Sequence, residues 1–170
     1  MNNALTFTFD QLTTALSVDG QNANDALIYD ISNGLPRRVL FSGGLSVSPL
    51  DQVIIQGNGT VGELEFVYDT ENDGSVNIDG NEIVEYSGIA PLTSTVTVTD
   101  VVLSFGSSDE TIDFTQAGTD ITVDSTVGEI TTFAAPTNAL TINTGGGTDT
   151  INVDGPVSYT HLTLPTILLV

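Results

Sequence analysis

Most of this chain alternates apolar and polar residues with a period of two, and that single habit restricts what it can fold into. "ELEFVYD" (63–69), "STVTVTDVVLSF" (94–105), "DITVD" (120–124) and "ALTIN" (139–143) each put every second side chain on one face, as a half-buried strand requires. "LTFTF" (5–9), "ALIYDI" (26–31), "VLF" (39–41), "QVIIQG" (52–57), "EIVEYSG" (82–88), "TIDF" (111–114) and "TINV" (150–153) read the same way. Val, Ile, Thr, Phe and Tyr fill these runs, while Gly, Asn, Asp and Pro fall between them. One segment suggests a helix: in "FDQLTTALSV" (9–18) Asp10 can cap and Leu12 and Leu16 share a face. The expectation is an all-β chain with helix in less than about one tenth of its residues.

A loose internal repeat narrows the architecture. An aspartate leads apolar residues two and four positions on in Asp25-Leu27-Tyr29, Asp51-Val53-Ile55 and Asp149-Ile151-Val153. Asp109 leads Ile112 and Phe114 with one residue inserted. The spacings of 26, 58 and 40 are irregular, so no strict repeat length exists. Short strands separated by tight turns suit a right-handed parallel β-helix (β-solenoid) segment whose turns vary in length. An antiparallel β-sandwich is the alternative that the same alternation permits.

Charge decides the partners. The chain has 22 acids against two basic residues, Arg37 and Arg38, for a net charge of −20 on 170 residues. A nucleic-acid backbone or an anionic membrane surface would repel it, so neither is an expected partner. The acids are scattered among apolar residues that make up 39% of the sequence, which describes a foldable chain with an acidic skin. Cysteine is absent, removing disulfides and thiolate metal sites. This Thr/Gly/Asp-rich composition suits bacterial secreted or surface proteins, although "MNNALTFTFD" shows no signal peptide. No run of apolar residues is long enough for a spanning helix, and membrane insertion is not expected.

The segments "IVEYSGIAPL" (83–92) and "NALTINTGGGTDTINV" (138–153), with "LDQVIIQGNGT" and "ELEFVY" before them, resemble the repeat unit of very large secreted, multi-repeat bacterial surface proteins of adhesin-like type. Such units place a Gly-Gly-then-Asp strand, an "I-x-Y-x-G-[IL]-x-P-[IL]" strand and a closing "L-T-I-N-x-G-x-G-x-D" strand in that order. The resemblance covers roughly residues 20–155. It implies an extracellular or cell-surface location and a structural or adhesive role without catalysis. The partners it implies are neighbouring repeats of the same polypeptide, together with extracellular polysaccharide or a cell surface. Residues 1–19 then form an incomplete leading segment and 20–155 the β-repeat domain.

Two acidic turns raise the question of calcium. Against the β-roll nonapeptide G-G-x-G-x-D-x-U-x, Asp149 takes the sixth position, Gly145 and Gly147 the second and fourth, and Ile151 the eighth, with Thr144 replacing the first glycine. A β-roll ion is completed by the equivalent turn of a neighbour, and the motif occurs once, so a plain glycine bend is the stronger reading. A phosphate cradle is weaker still, because no lysine follows and no helix begins there. In "DTENDGSVNIDGNE" (69–82) the acids fall at EF-hand-like spacing, yet Gly80 stands where a bidentate carboxylate belongs. A hairpin on "NDG" or "IDGN" fits better. The expected ion-binding convergences are Asp69/Asp73/Asp79 and Asp149/Asp154, giving weak and diffuse stabilisation by Ca2+.

Catalysis finds little support. The one histidine, His161, lies in the anomalous tail, which leaves Ser-His-Asp and Cys-His chemistry without a base. Asp113, Asp120 and Asp124 in "IDFTQAGTDITVD" offer carboxylates for a polysaccharide-acting enzyme fragment, but alternation puts such residues on a solvent face. A calcium-dependent carbohydrate-binding module is the other alternative, disfavoured by the lack of Trp and an aromatic content of only 6%. Finally, "VSYTHLTLPTILLV" (157–170) contains no acid, and its composition shift begins at residue 156. It resembles the translation of a sequencing-adapter read-through. Deleting residues 157–170 should leave the melting temperature unchanged and raise solubility, because "TLPTILLV" is uncharged and β-prone. A marked fall in Tm on truncation would show a true strand.

Overall fold

The computed structural model describes residues 15–21, 24–35, 37–44, 51–154 and the backbone of 162–163. All regular structure in them is β, with no helix. The strands form two mixed sheets, one of eight and one of seven strands, between which the chain passes back and forth.

The first passes are simple. β1 (Leu16–Asp19) enters the eight-stranded sheet, β2 (Ala26–Asp30) the seven-stranded one, β3 (Val39–Ser42) returns to the first and β4 (Asp51–Gln56) to the second. β3 lies parallel on β1, and β4 parallel on β2 with Ala26 opposite Gln52. The chain then inserts a three-stranded antiparallel meander into the eight-stranded sheet: β5 (Thr60–Tyr68), β6 (Gly74–Ile78) and β7 (Asn81–Ser87). The meander runs backwards, so β7 rather than β5 lies parallel on β3. β8 (Ile89–Ser94) pairs parallel with β4, and β9 (Thr97–Ser104) parallel with β5. A second backward meander, β10 (Thr111–Ala117), β11 (Asp120–Ser125) and β12 (Gly128–Ala134), enters the other sheet, with β12 parallel to β8. β13 (Ala139–Asn143) stacks on β9 and β14 (Thr150–Asp154) on β10, each shifted by 39 residues.

Both inner faces meet in one core. Val53, Ile55, Leu92, Ile112, Phe114, Ile121, Val123 and Phe133 come from the seven-stranded sheet. Leu64, Phe66, Val76, Ile78, Val84, Val101, Leu103, Leu140 and Ile142 come from the eight-stranded one, all essentially inaccessible. Phe66 and Phe133 touch across the interface with centroids 5.6 Å apart. Each fully buried Leu, Ile or Phe side chain contributes roughly 1.5–3 kcal/mol.

Several sequence expectations shift. The candidate helix over 9–18 is not helical where it can be seen: Leu16 and Val18 pack toward the core while Ser17 faces out, a period of two. Its residues 9–14, like "LTFTF", lie outside the described residues. β1 also precedes the expected domain start at residue 20 yet pairs within the same sheet. The strand read over 82–88 is β7, whereas the longer strand that the resemblance implies over 83–92 is broken at Gly88, where a φ of +66° sends the chain from β7 in one sheet to β8 in the other. β6 and β12 lie between the strands that alternation marks, and the hairpin reading of "DTENDGSVNIDGNE" holds at both of its turns, β5–β6 around "NDG" and β6–β7 around "IDGN". In the tail, Leu162–Thr163 runs parallel to β13, extending the eight-stranded sheet.

Close stacking leaves Gly145 no alternative. At Gly145, with φ +72°, an added Cβ would lie 1.7 Å from the Gly106 carbonyl oxygen. Gly145→Ala should cost roughly 2–4 kcal/mol in urea unfolding, combining left-handed strain with a backbone clash. Gly106→Ala, with open space at its Cβ, should change stability by less than about 0.5 kcal/mol.

Candidate functional site

The turns that lead from the eight-stranded to the seven-stranded sheet gather along one edge. They follow β1, β3, β7, β9 and β13, and their main chains bond to one another. Gly20 N donates to Ser42 O and Gly43 N to Ser87 O, each at 2.8 Å, while Gly146 N donates to Gly106 O at 3.1 Å. The β5–β6 hairpin reaches the same edge, where Ile89 N donates to Asn72 O at 3.2 Å.

Carboxylates complete this stack by accepting amides from the neighbouring turn. Asp51 Oδ1 accepts from Asp25 N, and Asp73 Oδ1 from Gly88 N at 3.1 Å. Asp149 Oδ1 accepts from Glu110 N at 3.2 Å, and Asp109 Oδ1 from Thr148 N at 2.7 Å. Charge-assisted bonds of this kind are stronger than neutral ones and satisfy donors that a turn would otherwise leave without a partner. The repeat read from sequence is corrected here by one residue. Thr111 pairs with Thr150, so the counterpart of Asp149 is Glu110 rather than Asp109.

Three acids at this edge point inward and are almost wholly buried: Asp51, Glu110 and Glu129. Burial raises the Asp51 carboxyl above its ordinary value. Glu110 is pushed up to about 7, by burial first and then by the Asp149 carboxylate against it. Asp149 is lowered, chiefly by its hydrogen bond with Thr144. Glu129 is pushed up to about 8 by burial, although the Tyr86 hydroxyl donates to its Oε1; Asp73 and Asp69 add repulsion. Its other oxygen has no hydrogen-bond partner.

The expected ion-binding residues separate into fragments. Asp69 and Asp73 share a hairpin, with Asp69 N donating to Asp73 O at 3.0 Å. Asp79 sits at the opposite end of β6, where its Oδ1 accepts from Glu63 N at 2.9 Å. Asp154 is exposed at the far end of β14 from Asp149. Neither expected group therefore converges as a whole, and among the described residues no three His, Cys, Asp or Glu side chains cluster in a way that could hold a metal ion. Of the acids considered for sugar chemistry, Asp113 and Asp124 are exposed cross-strand neighbours, and Asp120 stands at the other end of β11.

Asp51, Glu110 and Glu129 were missed as buried acids, yet strand phase marks them. Each lies an even number of residues from core positions in its own run: Asp51 with Val53 and Ile55, Glu110 with Ile112 and Phe114, Glu129 with Phe133. Two concavities among the described residues are shallow, about 140 Å³ beside Leu40 and Glu85 and about 200 Å³ beside Asn58 and Asp79. Both fall below the roughly 300–1,000 Å³ of ordinary ligand sites. No family model, curated protein or solved structure matches the chain.

Glu129 gives this edge a pH signature. Its folded-state value lies above the unfolded 4.5, so the folded protein holds a proton that the unfolded chain releases as pH rises. Stability from this group is full below about 4.5 and is lost progressively up to about 8. The groups facing it are Tyr86, Tyr68, Asp69 and Asp73. Glu129→Gln, which keeps the shape and an acceptor for Tyr86, should raise Tm at pH 8 by an amount worth a few kcal/mol and change little at pH 4. Equal effects at both pH values would show that Glu129 does not titrate in this window.

Proposed function

We propose that this chain is a non-catalytic structural or adhesive repeat of a large exported bacterial surface protein, wound as a two-sheet coil of stacked rungs. The observation that supports it best is the register. Outside the two meanders every strand pairing is parallel, and successive passes lie on one another turn on turn. In a sandwich built from hairpins the antiparallel pairs would dominate; here they stay inside the meanders. The outermost strands offer backbone edges in the same register, to which neighbouring repeats of the polypeptide add, as in other stacked architectures.

The surface favours this reading over a carbohydrate-binding module. Every aromatic ring among the described residues is buried, including Tyr29, Phe41, Tyr68 and Phe105, so no exposed ring offers a sugar a stacking platform. In this reading calcium acts as a diffuse stabiliser of a highly acidic molecule, relieving repulsion where carboxylates approach. Its setting is extracellular, with polysaccharide or a cell surface as the adhesive target.

The uninterrupted gene tests the proposal. Tandem copies of the unit spanning residues 20–155, with an export signal and a cell-wall or secretion signal, are expected. A single copy joined to a catalytic domain in a protein with no export signal would overturn it.

A further inference from the structure

The turns 105–110 and 144–149 lie directly on one another. Gly145 and Gly147 approach the carbonyls of Gly106 and Ser108 so closely that neither position has room for a side chain. Enclosed at this contact is Glu110, 2% exposed, and neither of its carboxylate oxygens accepts a hydrogen bond from a protein donor. The Asp149 carboxylate is set against it, with the Thr144 hydroxyl bonded to Asp149 and itself only 8% exposed. Arg38, the nearest thing to a structural cation in the described residues, is engaged elsewhere by Glu82 and Glu85. A buried carboxyl with no donor, set against a half-exposed carboxylate, is a place where positive charge between the two is favourable.

We propose that the stacked turns 105–110 and 144–149 bind one divalent, oxygen-seeking cation of the calcium type, held by Glu110 and Asp149 with the Thr144 hydroxyl as a further ligand. The chemistry of the donors selects this class: all are oxygens, two are carboxylates, and no nitrogen or sulfur ligand is near that would favour zinc or copper. Glu110 can engage through both oxygens, while Asp149 keeps Oδ2 for the ion as Oδ1 accepts from the Glu110 amide. The ion thereby joins two chain segments 39 residues apart. The two glycine-lined turns act as one site, with Glu110 as the ligand from the neighbouring turn that a single nonapeptide lacks. This site stands apart from the reading of the chain as a surface-protein repeat, which survives if the turns bind nothing.

Calcium chloride is the probe. Titration calorimetry of the full chain at pH 8 should show one calcium site with Kd on the order of 10⁻⁴–10⁻³ M. At about 5 mM calcium, Tm should rise roughly 2–9 °C above its value in NaCl of equal ionic strength, the larger shift for the tighter end of that range. Glu110→Gln and Asp149→Asn should each lose that calcium-specific rise, and Asp124→Asn, which removes one exposed charge, should keep it. Glu110→Gln is expected to fold in the absence of calcium, since its amide can donate to Asp149. An equal shift in calcium and in matched NaCl would overturn the proposal, leaving a shared proton as the occupant. A calcium-specific rise that persists in Glu110→Gln would overturn it as well, placing the ion elsewhere.

Discussion

Everything in this molecule depends on turns stacking in register at one edge, each supplying the hydrogen-bond partners of the next. Parallel strands cannot be joined by a tight hairpin, so every pass must cross to the other sheet and return. That crossing exposes amides at each bend, where no ladder strand lies opposite to receive them. Carboxylates of the adjacent turn take those amides: Asp51 for Asp25, Asp73 for Gly88, Asp149 for Glu110 and Asp109 for Thr148. The outer faces continue the same logic. Ser104 and Asn77 both donate to Glu65, Asn152 to Asp113 and Asn138 to Asp100. Side-chain columns thus run across the strands, parallel to the backbone ladder.

This arrangement gives the acidic composition a physical meaning. With a net charge of −20 the folded chain repels itself, and lysine is absent as a remedy. Many acids instead lie where an amide, a hydroxyl or a neighbouring Asn offers a donor. The buried ones hold their protons more tightly than exposed acids do, chiefly because of burial: Glu110 is pushed up to about 7 and Glu129 to about 8. Glycine is the necessary complement, because the turns approach so closely at Gly145 that a methyl group would meet a carbonyl oxygen.

The all-β class was legible because alternation is a direct trace of a strand with one face buried. Alternation could not reveal which strands pair. Parallel stacking and antiparallel pairing bury the same residues, and the backward order of the meanders depends on contacts far apart in sequence. That β7 and β8 are two strands in different sheets was hidden because the break is a single residue, Gly88, inside one apolar run. β6 was hidden by its acidic flanks, although Val76 and Ile78 alternate with Ser75 and Asn77. At the edge, Asp149 and its glycines were visible as a motif, but Glu110 was not. Its importance comes from the 39-residue register, and one extra residue in the local spacing had pointed to Asp109 instead. Asp69, Asp73 and Asp79 looked close in sequence, yet a five-residue strand holds Asp79 away from the other two.

The claim that carboxylates of one turn secure the amides of the next can be tested by native-state hydrogen exchange, residue by residue. The amides of Asp25, Gly88, Glu110 and Thr148 lie outside the strands, where loop amides ordinarily exchange through local openings of low free energy. The account predicts protection of these four within about tenfold of the amides in the adjoining strands, because opening any of them requires two stacked turns to separate. Exchange at the rate of an unprotected loop, with the strands still protected, would contradict it.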